Sequence, residues 1–279
     1  MRDFAIYQAM WGMEGLPWRS VESWDLDEQL DRIAAAGFDG VSIDDDHPEL
    51  DQLVSGAAGR GLSWYASVFP RSAADLLDSV KRVLPLEPVL INLQPNFHPA
   101  SLQEARPVFE GWLRTAADLP CPLLIETHRN RATTDLLFTL ALLDAFPEIE
   151  LTADLSHYLL AREFAWPVRE QDQRLIERIL DRASALHGRV ASREQVQIPI
   201  DFPQHAGWVE LFLDWWDEGL RRWRGRGRPG GTLIFTTELG PPWYAITGAD
   251  GEELSDRWAE ARRLKQLVSE RWSPAPDRR

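Results

Sequence analysis

The feature that most narrows the fold of this chain is a rhythm. Short runs of apolar, β-branched or aromatic residues occur at 4–9, 40–43, 62–68, 89–93, 122–127, 149–153, 185–190 and 232–237, and longer stretches of helical spacing lie between them. Leu26, Leu30, Ile33 and Ala34 fall on one helical face, as do Leu136, Leu137, Leu140 and Leu143. Helix entry is signalled by Ser72 before 73–84, by Thr133 before 134–144 and by Pro167 opening 168–180. Gly37 and Gly61, just ahead of strands, read as helix-ending residues. A final helix over 252–272 places Leu254, Trp258, Ala261, Leu264 and Val268 on one face. Eight strand–helix units in succession predict a single (β/α)8 barrel, a TIM barrel of α/β class; an open doubly wound sheet is the rival arrangement. No linker divides residues 1–279, and 273–279 read as a frayed tail.

Composition removes several classes of function. The 279 residues carry 44 Asp and Glu against 30 Lys and Arg, a formal charge of −14, which repels a phosphate backbone and argues against nucleic acid as a partner. A single cysteine, Cys121, excludes an intramolecular disulfide framework and a thiolate-rich zinc cluster, and fits a reducing, cytoplasmic setting. No apolar run reaches the about 18 residues that a membrane span needs, and the first ten residues hold no apolar leader core. A small molecule is the expected partner, with a homo-oligomer as the other association to consider.

In a (β/α)8 barrel the chemistry sits at the C-terminal ends of the strands. Strand five ends in Glu126-Thr127-His128, strand six in Asp154-Leu155-Ser156-His157, strand seven carries His187 with Arg193 six residues on, and strand eight ends in Glu238. The steps from Glu126 to Asp154, His187 and Glu238 are 28, 33 and 51 residues, about one βα unit each with a longer last one. Three carboxylates gathered in one mouth repel and desolvate one another unless a cation neutralises them. Oxygen and imidazole donors without thiolate suit one divalent ion, Mn, Mg, Co or Zn. The alternative for each residue alone is a helix cap or a loop hydrogen bond.

These residues together resemble the xylose isomerase-like superfamily of sugar isomerases and epimerases, in particular the D-tagatose 3-epimerase group, over nearly the whole chain. The resemblance implies that Glu126, Asp154, His187 and Glu238 bind the metal, and that His157 and Arg193 bind substrate oxygens. It implies a sugar or keto-sugar isomerase or epimerase. Such chemistry needs a polarised carbonyl, which a metal supplies, and a base for the adjacent carbon acid, a role open to Glu126 and Glu238. His157 and Arg193 would stabilise the enediolate oxygen. Two departures point to the superfamily rather than to a named activity. Xylose isomerase has Lys where this chain has His128, and the ketose 3-epimerases continue with Asn-Arg and a second Glu where this chain reads ETHRNRA.

Rival signals remain. All six histidines, His47, His98, His128, His157, His187 and His205, fall at or beyond predicted strand ends, and His98 with His128 are further candidates for substrate contact. Endonuclease IV shares the fold and uses extra histidines to hold three zinc ions, so an abasic-site nuclease is an alternative function; the Asp-x-His element expected after the strand-seven His is absent, since Asp201 and His205 are four apart. A dehydratase or a non-catalytic binding protein on the same barrel are two more. Trp11, Trp64 and Trp243, near the outer ends of strands one, three and eight, are candidates for an aromatic wall against a sugar, with core packing as the equal alternative. Asp44, Asp45 and Asp46 read as a solvated turn. Gly225, Gly227 and Gly230 match a dinucleotide fingerprint, but they follow a helix and precede a strand, the reverse of that motif's setting.

Overall fold

The structure, a computed structural model, describes residues 3–227 and 231–273. Eight parallel strands close into a barrel in chain order: β1 (Phe4–Ala9), β2 (Gly40–Asp44), β3 (Ser63–Val68), β4 (Ile91–Leu93), β5 (Leu123–Glu126), β6 (Leu151–Ala153), β7 (Ala183–Gly188) and β8 (Leu233–Thr237). Closure is made by β1 against β8, with Phe4 opposite Leu233 and Gln8 opposite Thr237. The open-sheet alternative is thereby excluded. The helices are α1 (Leu26–Ala35), α2 (Leu50–Gly59), α3 (Ala73–Val83), α4 (Leu102–Ala117), α5 (Leu136–Ala145), α6 (Ser156–Ala161), α7 (Glu170–Leu180), α8 (Ala206–Gly225) and α9 (Arg257–Trp272).

Local sequence explains the helix starts. Asp25 forms a capping box with Glu28 at α1, and the Ser72, Ser101, Asp135 and Asp256 side chains accept backbone N–H bonds at α3, α4, α5 and α9. Gly37 and Gly61 adopt φ +71° and +72°, the left-handed conformation that ends a helix. Three expected starts move. Thr133 does not cap α5, because its hydroxyl donates to the Glu126 carbonyl and accepts from the His128 amide, leaving the cap to Asp135. Pro167 lies three residues ahead of α7, and the last helix begins at Arg257, with Leu254 in the preceding loop.

Two apolar layers hold the barrel. The outer one, between strands and helices, takes Trp112, Trp215, Trp216, Trp258 and Trp272, each buried. The inner one fills the N-terminal half of the lumen with Tyr7, Tyr65, Leu90, Leu124, Ala185 and Ile234. A fully buried aliphatic or aromatic side chain contributes about 1.5–3 kcal/mol. No described helix is long and apolar enough to cross a membrane. The tail expected to fray lies outside the described residues from 274 onward, as does Gly230 of the glycine motif, while Gly225 ends α8.

Candidate metal centre at the barrel mouth

Strand alternation decides which side chains enter the lumen. Tyr65 is inward, because its hydroxyl lies 2.9 Å from Thr236 Oγ1 and 3.2 Å from His187 Nε2. With a period of two and the observed registers, Asp44, Asn92, Glu126, His187 and Thr236 share that inward set. Asp154, Arg189 and Glu238 follow at the next inward positions beyond β6, β7 and β8. Between His187 and Arg189 stands Gly188, where a Cβ would sit 2.3 Å from the Phe235 ring. Only a residue without a side chain lets β7 lie this close to β8 while turning both neighbours inward.

Three donors converge: a carboxylate oxygen of Glu126, His187 Nδ1 and a carboxylate oxygen of Glu238 lie within 4.8 Å of one another, all buried. Glu126 Oε2 accepts from Asn92 Nδ2 at 2.5 Å and Oε1 from Gln94 Nε2 at 3.1 Å. His187 Nδ1 is 2.7 Å from Glu238 Oε2, yet neither atom makes an aligned hydrogen bond. Two buried polar atoms facing each other without that alignment suit a shared cation, and the donor set of two carboxylates and one imidazole suits a borderline or hard divalent metal. The residues present therefore fit a metal through Glu126, His187 and Glu238.

Asp154, expected as a fourth ligand, stands apart from that set. Its Oδ1 accepts from the Ser156 amide at 2.9 Å and hydroxyl at 2.5 Å, and its Oδ2 accepts from Arg189 Nη1 at 2.8 Å. The physical reason is the guanidinium of Arg189, a residue that the spacing of the site motif does not mark. Arg189 is fully buried, with Nε donating to the Glu238 carbonyl at 3.0 Å, Nη2 3.0 Å from Glu238 Oε2, and Nη1 3.1 Å from His157 Nε2. It bridges the carboxylates of Asp154 and Glu238 as a planar fork can and an ammonium cannot. Arg193, expected to be the arginine of the site, is exposed instead and pairs with Glu163 and Glu194.

The charges settle accordingly. Burial pushes Glu126 up to about 7, with Glu238 adding to the rise against the charge of His187. Burial alone would lower His187, but Glu238 and Glu126 outweigh it and raise the imidazole to about 9. Burial would raise Glu238, yet His187 and Arg189 hold it well below the usual carboxylate range. His157 is buried and, beside Arg189, pushed well down, so it is neutral; its Nδ1 has no hydrogen-bond partner among the described residues.

The other expected contacts divide. His128 is buried, its ring 4.0 Å from that of His157 and its Nε2 3.3 Å from the Tyr244 hydroxyl. Trp11 packs edge-on against Tyr244 with ring centroids 5.4 Å apart, and the Arg189 guanidinium lies 4.6 Å from the Tyr244 ring, so Trp11 belongs to the mouth. His98 does not: it is exposed and bonded to Asn130. Trp64 points outward into the helix layer, donating to the Leu86 carbonyl at 2.8 Å, because it alternates with inward Tyr65. Trp243 is 99% exposed and lines nothing. His205 bonds the Pro199 carbonyl, and His47 accepts from the Glu49 amide. Of the three aspartates read as a solvated turn, Asp46 is exposed in a turn, whereas Asp45 is buried against Arg82 and Asp44 ends β2 turned inward.

No protein-family model matches the sequence, and no curated protein matches it. Among solved structures the chain is similar to a xylose isomerase domain protein from Planctomyces limnophilus, with 12% identity, a TM-score of 0.51, and 96% of this chain and 97% of that chain covered. It is similar also to a tri-modular GH5 (subfamily 4) endo-beta-1,4-glucanase from Bacillus licheniformis, with 11% identity, a TM-score of 0.51, and 97% of this chain but 60% of that chain covered. At these identities the likeness establishes the barrel and leaves the chemistry to the mouth itself.

Proposed function

We propose that this barrel is a divalent-metal-dependent isomerase or epimerase acting on a sugar or keto-sugar. The observation that carries the reading is the convergence of Glu126, His187 Nδ1 and Glu238 within 4.8 Å at the barrel mouth. When bound there, a divalent ion supplies Lewis-acid polarisation of a carbonyl oxygen. The chain's own residues do the rest. Asn92 and Gln94 hold the Glu126 carboxylate, and Tyr65 orients His187 through Nε2, leaving Nδ1 toward the two glutamates. Neutral His157 has its Nδ1 for an oxygen of the substrate, and Arg189 takes the place foreseen for Arg193. The Trp11 and Tyr244 rings give an apolar wall on which a sugar face can rest and from which water is excluded.

Glu126 and Glu238, foreseen as the proton-transfer pair, are both held: one by two amides, the other between His187 and Arg189. In this reading they are ligands. The test is metal content with activity. The purified protein should hold about one divalent ion per chain, and His187→Ala and Glu126→Gln should lose the ion while staying folded. A screen of ketoses, aldoses and their phosphates with the metal restored should then reveal interconversion. Full metal occupancy in a Glu126→Gln, His187→Ala double variant would overturn the assignment.

A further inference from the structure

With Glu126 and Glu238 both engaged, proton transfer at carbon needs another group, and β2 supplies one. Asp44 closes β2 opposite Ser67 of β3, two residues beyond inward Ser42, whose register partner is Tyr65. It therefore projects into the mouth rather than into the helix layer. It is partly buried, and its carboxyl accepts no hydrogen bond from any described residue, while its backbone carbonyl accepts from the His47 amide. Asp45 next to it turns the other way and is neutralised by Arg82. Asp44 pairs with no cation among the described residues. Burial and the charges of Asp46, Glu238, Glu126 and Asp45 push its carboxyl up to about 7. A strand-end carboxyl in a barrel mouth, unpaired and raised toward neutrality, has the properties of a group that exchanges protons with a bound molecule.

We propose that Asp44 is the proton-transfer residue of this site, acting on the carbon next to the substrate carbonyl. This rests on the isomerase or epimerase reading. The Asp44 carboxylate takes the proton from that carbon, the C–H pair becomes the C=C bond, and the carbonyl π pair moves onto oxygen. After the two oxygens exchange a proton, delivery from Asp44 to the neighbouring carbon on the same face gives the isomer; delivery back to the first carbon regenerates the substrate, carrying deuterium when Asp44 has exchanged with D2O. No oxidant, reductant or second substrate is consumed. Asp44 stands on β2, across the barrel from β6 and from His157 on the α6 that follows it, so a substrate lying between them is held by its oxygen at His157 and deprotonated from the other side.

The experiment compares wild type, Asp44→Asn, Asp44→Ser and Asp44→Glu, all loaded with Mn2+, on free ketohexoses and ketopentoses and their phosphate esters in D2O. Deuterium on the carbon next to the carbonyl is followed by mass spectrometry. In wild type it should appear. In Asp44→Asn and Asp44→Ser kcat should fall by about a hundredfold or more, the scale of lost acid–base catalysis, with KM within about threefold and Mn2+ content unchanged. Asp44→Glu should recover part of the rate. Exchange at the wild-type rate in Asp44→Asn would overturn the role of Asp44 and leave the isomerase reading standing. An inert wild type across the whole panel would overturn the isomerase reading, and the role with it; the activity of the wild type tells the two failures apart.

Discussion

The same strands do opposite work at their two ends. In the N-terminal half of the lumen, Tyr7, Leu90, Leu124, Ala185 and Ile234 pack as a small apolar cluster above a cavity of about 450 Å³. Two residues further along β5 and β7, and four along β8, the inward positions become Glu126, His187 and Glu238, and with Asp154 and Arg189 they form a buried electrostatic knot. Apolar contacts are non-directional and tolerate exchange, whereas buried charges must be matched atom for atom or they cost several kcal/mol each. The lower layer can hold the barrel together while the upper one is set by what it binds. Four measurements bear on that division.

The largest effect should come from removing the fully buried guanidinium of the mouth. Arg189→Met leaves Asp154 and Glu238 buried without their partner, and denaturant unfolding of the metal-free protein should show a loss of about 3–5 kcal/mol. A loss below about 1 kcal/mol would mean that the mouth is not held by charge matching. At the other end, Ile234→Ala enlarges a space bordering an existing cavity and should cost about 2–4 kcal/mol, with Mn2+ affinity changed less than about threefold. If affinity fell in step with stability, the two ends would be one unit and the comparison would fail.

A carboxyl away from both ends sharpens the point. Glu260 on α9 is buried and accepts from the Ile200 amide, and it forms no ion pair among the described residues; burial, with Asp201 and Asp256 nearby, raises it from 4.5 to about 7. The folded state therefore favours the protonated form. Its stabilising share is whole below about 4.5 and drains away as pH rises to about 7. Glu260→Gln should remove that drain, gaining up to about 3 kcal/mol at pH 8 and close to nothing at pH 4. Equal stability of the two proteins at pH 8 would show that an unpaired buried carboxyl is tolerated here without a cation. The smallest effect belongs to Tyr65, which joins the two layers, its ring in the apolar cluster and its hydroxyl on His187. Tyr65→Phe should weaken Mn2+ binding about tenfold to a hundredfold in a chelator competition and leave the fold in place.

The barrel was legible in the sequence because each strand is a compact apolar run and each helix a run of period 3.6, signals carried by neighbours in the chain. All eight expected runs overlap observed strands, and only the edges shift, as where β7 begins at Ala183 rather than 185. Helix starts were less legible where a polar residue had a tertiary partner: Thr133 looks like a cap and is bound to the Glu126 carbonyl instead. At the mouth, the alternation that put His187 inward applies equally to Arg189, and the polar residues at alternate positions Asn92 and Gln94 carry the same signal. The six-residue spacing that points to Arg193 carries no information about the nearer Arg189. That Asp154 would pair with Arg189 rather than join the other donors depends on three-dimensional charge matching, and no local pattern encodes it.

Gly188 has a consequence for reading variants of this protein. The contact that fixes its neighbours is with Phe235, whose ring faces Trp216 and Trp272 in the layer behind the barrel. Swapping that ring for a smaller or larger one would slide β7 against β8 and carry His187 and Arg189 along together. In a genetic screen such a change would be scored as an active-site lesion, although the altered side chain never meets the solvent or anything bound in the mouth.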